Sequence, residues 1–333
     1  MPNPSPVIDQ AERLKRAALK REVAELSQLV QAFRAVHDRA QALANGLTLD
    51  LLALDNPTPA QVQRMRRYRQ LIAETGEQIA QYSTYVGVEV QKSARLAVTM
   101  GEKDARLLTA VAGGNAKLAG SLRALSPETI VQLVGFLDPK GPLYKRLGNL
   151  PAWTSEQVAN AIIEGIGLGR NPRTIAAAIT RTLGMGLTSS LTTIRTVQLW
   201  SYREASRASY IANADVVRGW VWYASLDDST CPSCWAEHGT THELSEPLND
   251  HHNGRCAALP WVIGTSNPVG VSGEQAFLQL SEEKQRAILG GGRYDAYKAG
   301  AFEFPALSSV RTDEVYGPMR TAAPLAELVG EQP

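Results

Sequence analysis

The chain has three cysteines, and all fall in one short stretch: Cys231 and Cys234 in STCPSCWAEHG, then Cys256 in DHHNGRCAAL beside His251 and His252. A C-x-x-C turn lets two thiolates grip one ion from a single loop. A second loop some twenty residues on can complete a tetrahedral set with histidine and cysteine. The expected donors are Cys231, Cys234, His251 and Cys256, with zinc as the ion. His252 is the alternative fourth ligand, and His238 and His242 are also within reach in sequence. Three thiolates, one neutral imidazole and a divalent ion leave about −1, which Arg255 is placed to offset. Four protein donors close the coordination sphere, so such a site staples the fold and activates no substrate. Two rival readings use the same residues. Free cysteines can serve as small buried apolar groups, and Cys231 with Cys234 could form a disulfide that leaves Cys256 unpaired.

Asp227 and Asp228 stand just before the C-x-x-C turn. A carboxylate there can accept from the following backbone N–H groups and fix the loop. The competing role is a catalytic acid or metal ligand, which no second acidic cluster supports. Arg195, in the helix before the strand, is a candidate ion-pair partner for these acids.

Positioning these residues requires a strand and a long helix. GWVWYASLDD is rich in aromatic and β-branched residues and runs directly into the cysteine turn. Before it, TIRTVQLWSYREASRASYIANA reads as a helix from about Thr188, with Ile194, Val197, Ala205, Ala208 and Ala212 on one stripe. Shorter helices are expected to start at Ser126-Pro127-Glu128, at Thr154-Ser155-Glu156 and at Asn171-Pro172-Arg173, the last ending near Gly184. Trp220, Trp222, Trp235 and Trp261 are expected to pack as a small core around the knuckle.

The first hundred residues read as an extended helical hairpin. Leu14, Ala18, Val23, Leu26, Leu29, Val30 and Phe33 form one stripe. Thr58 and Pro59 cap and open a second helix that continues through Ile72, Ile79 and Val86. In RMRRYRQ, Arg64, Arg66, Arg67 and Arg69 surround Tyr68. They are candidates for contact with DNA phosphate or a partner surface, against the plainer reading of a solvated helix face.

At 333 residues with 44% hydrophobic and 20% charged composition, the chain is that of an ordinary soluble protein. A formal charge of +1 gives no whole-chain case for nucleic-acid binding. MPNPSPVIDQAERLKR lacks an apolar signal region, and no run of about eighteen apolar residues occurs, so synthesis in a cytosol-like interior without a membrane span is expected. No phosphate loop or nucleophile elbow is present, and Gly165 to Gly169 lacks the strand-to-helix setting of a dinucleotide site.

The order GIGLGRNPRTIAAAITRTL, TIRTVQLWSYREASRASYIAN, GWVWYASLDDSTCPSCWAEHGT, DHHNGRCAALPWV, ILGGGRYDAYKAG resembles the phage Mu F-like minor head proteins, also called phage head morphogenesis proteins, over roughly residues 120–320. The resemblance implies a non-enzymatic virion component, made in the host cytoplasm and held in few copies inside the head near the portal. It would act in head assembly and in DNA packaging or ejection. Its implied partners are the portal protein, a major capsid or scaffold protein, and packaged DNA. Carried over by position, the family's ligands fall on Cys231, Cys234, His251 and Cys256; where relatives often read H-x-x-C-R-C, this chain has Gly254 in place of a cysteine. The rival is an HNH-like metal-dependent nuclease built on Asp250-His251-His252-Asn253, but the chain has no histidine after His252 to serve it.

The fold class expected is mainly α with a small α+β, zinc-ribbon-like region. Residues 1–112 form a helical arm, 120–265 a helical head-morphogenesis domain with the knuckle at 220–262, and 266–333 a helix plus irregular tail.

Overall fold

A computed structural model describes residues 5–54, 57–135, 142–168, 170–314 and 317–330. The described residues are mostly helical, with two small antiparallel sheets among them. Two compact units emerge: unit 1 comprises Met1–Ala18, Ala94–Gly135 and Thr196–Pro333, and unit 2 comprises Leu19–Ser93 and Phe136–Arg195. Helices α1 (Pro6–Leu52), α3 (Arg66–Ala112) and α6 (Pro172–Ala212) each contribute residues to both.

In unit 2, α1 buries Leu29, Phe33, Val36, Ala40, Ala44, Leu47 and Leu51, spaced three or four apart as one helix face. The matching face of α3 buries Leu71, Ile79, Tyr82, Val86 and Val90. The Phe33 and Tyr82 rings meet edge to face at 5.1 Å. Arg39 pairs with Glu74 at 2.6 Å, Arg67 donates to Gly46 O at 2.7 Å, and Ser93 donates to Glu25. Residues early in one helix thus meet residues late in the other, which makes the pair antiparallel. Val23, expected on the buried stripe, is 62% exposed.

Short α2 (Pro59–Arg64) starts as the residues dictate, with Thr58 and Gln61 completing a capping box over Pro59. It stops at Met65, whose extended ψ of 136° separates it from α3. The arginine run therefore straddles a break, although Arg and Met are good helix formers. Also in unit 2, α5 (Pro142–Gly167) begins well before Thr154, which lies buried inside it. The start at Asn171 holds, with Asn171 Oδ1 accepting from Arg173 N–H at 2.9 Å, but α6 does not end at Gly184. It runs unbroken to Ala212, since isolated glycines cost a helix only about 1 kcal/mol each.

In unit 1, Ser126 Oγ accepts from Thr129 N–H at the start of α4 (Pro127–Gly135). The second half of α6 is rich in small residues, and it buries Ser201, Ala205, Ser206 and Ser209. Against it, Gly101 of α3 comes so close that a Cβ there would lie 2.3 Å from Tyr202 O, and Ser206 Oγ donates to Gly101 O at 3.2 Å. Strand β1 (Val217–Tyr223) is central in a three-stranded sheet, flanked by β2 (Thr241–His242) and β3 (Ala257–Val262), both antiparallel. Short α7 (Pro232–Glu237) fills the β1–β2 connection. Downstream, α8 (Gly273–Leu278), α9 (Glu282–Leu289) and α10 (Gly291–Lys298) precede the hairpin β4 (Ser308–Asp313) and β5 (Gly317–Ala322) and a last turn, α11 (Leu325–Leu328). Trp235, Phe277, Leu289, Tyr294, Phe304 and Leu307 share one apolar cluster, which gives this segment a core of its own.

Candidate metal centre

Cys231 is the N-cap of α7, and its sulfur accepts from Cys234 N–H at 3.5 Å. This places the two thiols of the C-x-x-C turn side by side, with sulfurs 3.4 Å apart and no disulfide between them. His251 comes from the β2–β3 connection. Its Nε2 lies 3.3 Å from Cys231 Sγ and 3.5 Å from Cys234 Sγ. Donors about 2.0–2.3 Å from one tetrahedral zinc lie roughly 3.3–3.8 Å from one another, so these three already stand at the edges of such a site. On its other nitrogen, Nδ1–H donates to His252 O at 2.9 Å, which turns the Nε2 lone pair toward the sulfurs.

Cys256 falls in a second, overlapping group with Cys234 and Asp250, all three buried. Cys234 is common to both groups. Among the described residues these clusters could hold a metal ion, and the donor set of soft thiolates with imidazole suits zinc.

The thiols and His251 perturb one another. Hydrogen bonding from Cys234 holds the Cys231 thiol well below its usual range despite burial, with His251 adding to the effect. Cys234 is pushed up by Cys231, Cys256 and its own burial. His251 is raised to about 9, chiefly by its hydrogen bond to Cys231 and then by the nearby Asp250 charge, against desolvation.

The other histidines are engaged elsewhere. His252 Nε2 lies 3.1 Å from Asp313 Oδ2. His242 stacks on Trp220 at 4.1 Å and sits between Thr240 and Glu246. His238 Nδ1 accepts from Ala224 N–H, and burial lowers its pKa to about 4.

Asp227 Oδ1 accepts from Ser229 N–H, Ser229 Oγ–H and Thr230 Oγ–H, and these bonds hold its carboxyl below the usual range. Asp228 is exposed. Arg255 reaches out to Asp227 at 3.5 Å and to Ser229, so its charge is spent on the turn and not on the thiolates. Arg195 pairs with Glu22 and not with these acids. Trp220 and Trp222 share a cluster with Cys234 and Cys256, while Trp235 belongs to the Phe277 cluster and Trp261 lies under Arg218. In the arm, Arg67 pairs with Asp50 at 3.2 Å, and Arg64, Arg66 and Arg69 are exposed.

At the centre, Arg203 escaped the sequence reading, and Asp250 entered it only as part of the nuclease rival. Asp250 is 2% exposed, and Arg203 of α6 donates one nitrogen to Asp250 Oδ2 at 2.8 Å, Gly254 O at 2.9 Å and Cys256 O at 3.0 Å. Asp250 also accepts from the N–H groups of His251 and Cys256. The loop is thereby wrapped around one buried ion pair. The available signal was an arginine set among small residues in REASRAS, beside the helix face that other elements approach closely.

The family described as Phage Mu protein F like protein matches residues 156–259, a stretch from α5 through β3 that includes Cys231, Cys234, His251 and Cys256. This is the family that the residues themselves resemble. No curated protein and no solved structure matches the chain.

Proposed function

We propose that this chain is a minor head protein of a tailed bacteriophage, associated with the portal inside the head and acting in head assembly and in DNA packaging or ejection. The observation that carries the reading is the family match over residues 156–259, which covers the knuckle and the helices before it. Its role is structural and not enzymatic. Zinc held by Cys231, Cys234, His251 and a fourth donor from the loop around Cys256 ties that loop to α7, and Arg203 ties the same loop to α6. The result is a rigid docking element built on β1 and α6. In place of a catalytic pair, Asp250 and His251 are turned into this network, which weighs against the HNH-like nuclease reading. No helix among the described residues is long and apolar enough to cross a membrane.

The arm supplies the second contact. The chain's 34 basic and 33 acidic residues divide as 16 and 11 in unit 2, and as 18 and 22 in unit 1, so unit 2 carries a basic excess that the total of +1 hides. Exposed Arg64, Arg66 and Arg69 belong to that excess and are offered to the portal or to packaged DNA. Co-purification with the cognate portal protein, and mass spectrometry of purified heads, test the assignment. Recovery of the chain in heads at low copy and in a portal complex is expected. Absence from heads and portal complexes alike would overturn it.

A further inference from the structure

We propose that Asp250 closes the coordination sphere as the fourth metal donor, with Cys256 remaining a thiol. The inference rests on the reading that the knuckle binds an ion, and it decides which group completes the site. Asp250 Oδ1 lies 3.7 Å from Cys234 Sγ and 3.5 Å from His251 Nε2. Both distances fall in the range of about 3.3–3.8 Å that separates donors on one tetrahedral zinc.

The two carboxylate oxygens are unequally used. Oδ2 accepts from Arg203 and from Cys256 N–H, while Oδ1 accepts from His251 N–H at 2.9 Å and keeps a second lone pair on the side of Cys234 and His251. Gly254 makes room for this placement. A Cβ at position 254 would lie 2.1 Å from Asp250 Oδ2, so the carboxylate occupies the space that any larger residue would need.

Charge balance points the same way. Two thiolates, one carboxylate and a divalent ion leave about −1, which the buried Arg203 guanidinium brings to neutrality. A third thiolate would leave a further negative charge in a buried site, and the arginine beside it, Arg255, is committed to Asp227. Cys256 meanwhile has another role. Its thiol meets Cys234 in the apolar cluster that both share with Val217, Trp220 and Trp222, and its backbone N–H and C=O engage Asp250 and Arg203.

Cobalt(II) titration of the full chain, read through the thiolate-to-metal charge-transfer band, with zinc affinity from chelator competition, tests the assignment. In Cys256→Ser the band should keep its full intensity and zinc affinity should stay within about threefold of wild type, whereas Asp250→Asn should weaken zinc by at least the 10–100-fold typical of disturbing a metal site's supporting groups. Should Asp250→Asn fail to fold, the Arg203→Met/Asp250→Asn pair removes both buried charges and should fold with the same loss of affinity. A band that drops by one thiolate's share in Cys256→Ser, together with undiminished affinity in Asp250→Asn, would overturn the assignment while leaving the metal reading intact. Folded wild-type protein that takes up neither cobalt nor zinc would overturn both.

Discussion

The hairpin of unit 2 and the knuckle of unit 1 are held together by opposite means. In the hairpin, α1 and α3 bury an apolar stripe at every third or fourth residue, and the pairs that flank it, such as Arg39 with Glu74, lie toward solvent. In the knuckle, thiols, an imidazole and a carboxylate–guanidinium pair are themselves the interior, with Trp220 and Trp222 packed against the cysteine side. An apolar stripe tolerates the loss of one member at a graded cost. A buried polar cluster is satisfied as a whole, so removing one member leaves its partners uncompensated. The knuckle should therefore fail abruptly where the hairpin fails gradually.

Replacing both Cys231 and Cys234 by serine should have the largest effect. Structural zinc contributes about 10–16 kcal/mol of apparent binding energy to small metal domains, so loss of the donors should abolish cooperative protection of β1 and β3 in hydrogen exchange. Residues 71–90 of α3 should keep their protection. Loss at both places would break the contrast. Phe33→Ala is the converse: a cavity in the hairpin costing about 3–5 kcal/mol by denaturant titration, with metal stoichiometry unchanged.

A titration sharpens the contrast at intermediate size. His238 has its folded pKa lowered to about 4 by burial, so the unfolded chain takes up the proton first. Stability from this group is present above about pH 6.5 and declines as pH falls toward 4, by roughly 3 kcal/mol in full. His251, in the metal-free protein, is raised to about 9, so its own contribution is lost as pH rises through 9, but the lowered Cys231 thiol gains over the same range and offsets it. Metal-free protein should therefore lose stability on the acid side, through His238 and Cys231, and stay level from about pH 6.5 to 9. Metal-loaded protein should show a steeper acid decline, because protons displace the ion from its donors. Identical pH profiles with and without metal would contradict the placement of His251.

Gly101→Ala should cost about 1–3 kcal/mol by overpacking α3 against Tyr202 of α6, measured as a shift in the denaturant midpoint. The smallest effect on stability belongs to Arg64→Ala/Arg66→Ala/Arg69→Ala, within about 0.5 kcal/mol because all three are exposed. The same triple variant should weaken the arm's partner. A loss that shrinks as salt rises would mark DNA, and a salt-tolerant loss would mark a protein surface.

The two regions also differ in how far the residues disclose them. The hairpin was legible because its periodicity is local: Thr58 and Pro59 announce α2, and Ile79 and Val86 keep the buried face of α3. Local signals failed at Gly184, where a helix continues because an isolated glycine costs it only about 1 kcal/mol, and at Met65, where one stops. At the knuckle, cysteine scarcity made Cys231, Cys234 and His251 visible. Arg203 and its pairing with Asp250 were hidden because an ion pair between residues 47 apart leaves no spacing pattern, and because charged residues are ordinarily read as solvated. The β4–β5 hairpin was unread for a related reason, since Ser308 to Asp313 alternates weakly and its edge is largely exposed.

The most direct test of the central claim is metal content by inductively coupled plasma mass spectrometry on protein purified without a histidine tag. The account predicts about one zinc per chain, absent from the Cys231→Ser/Cys234→Ser protein. Folded wild-type protein with no bound metal would contradict it.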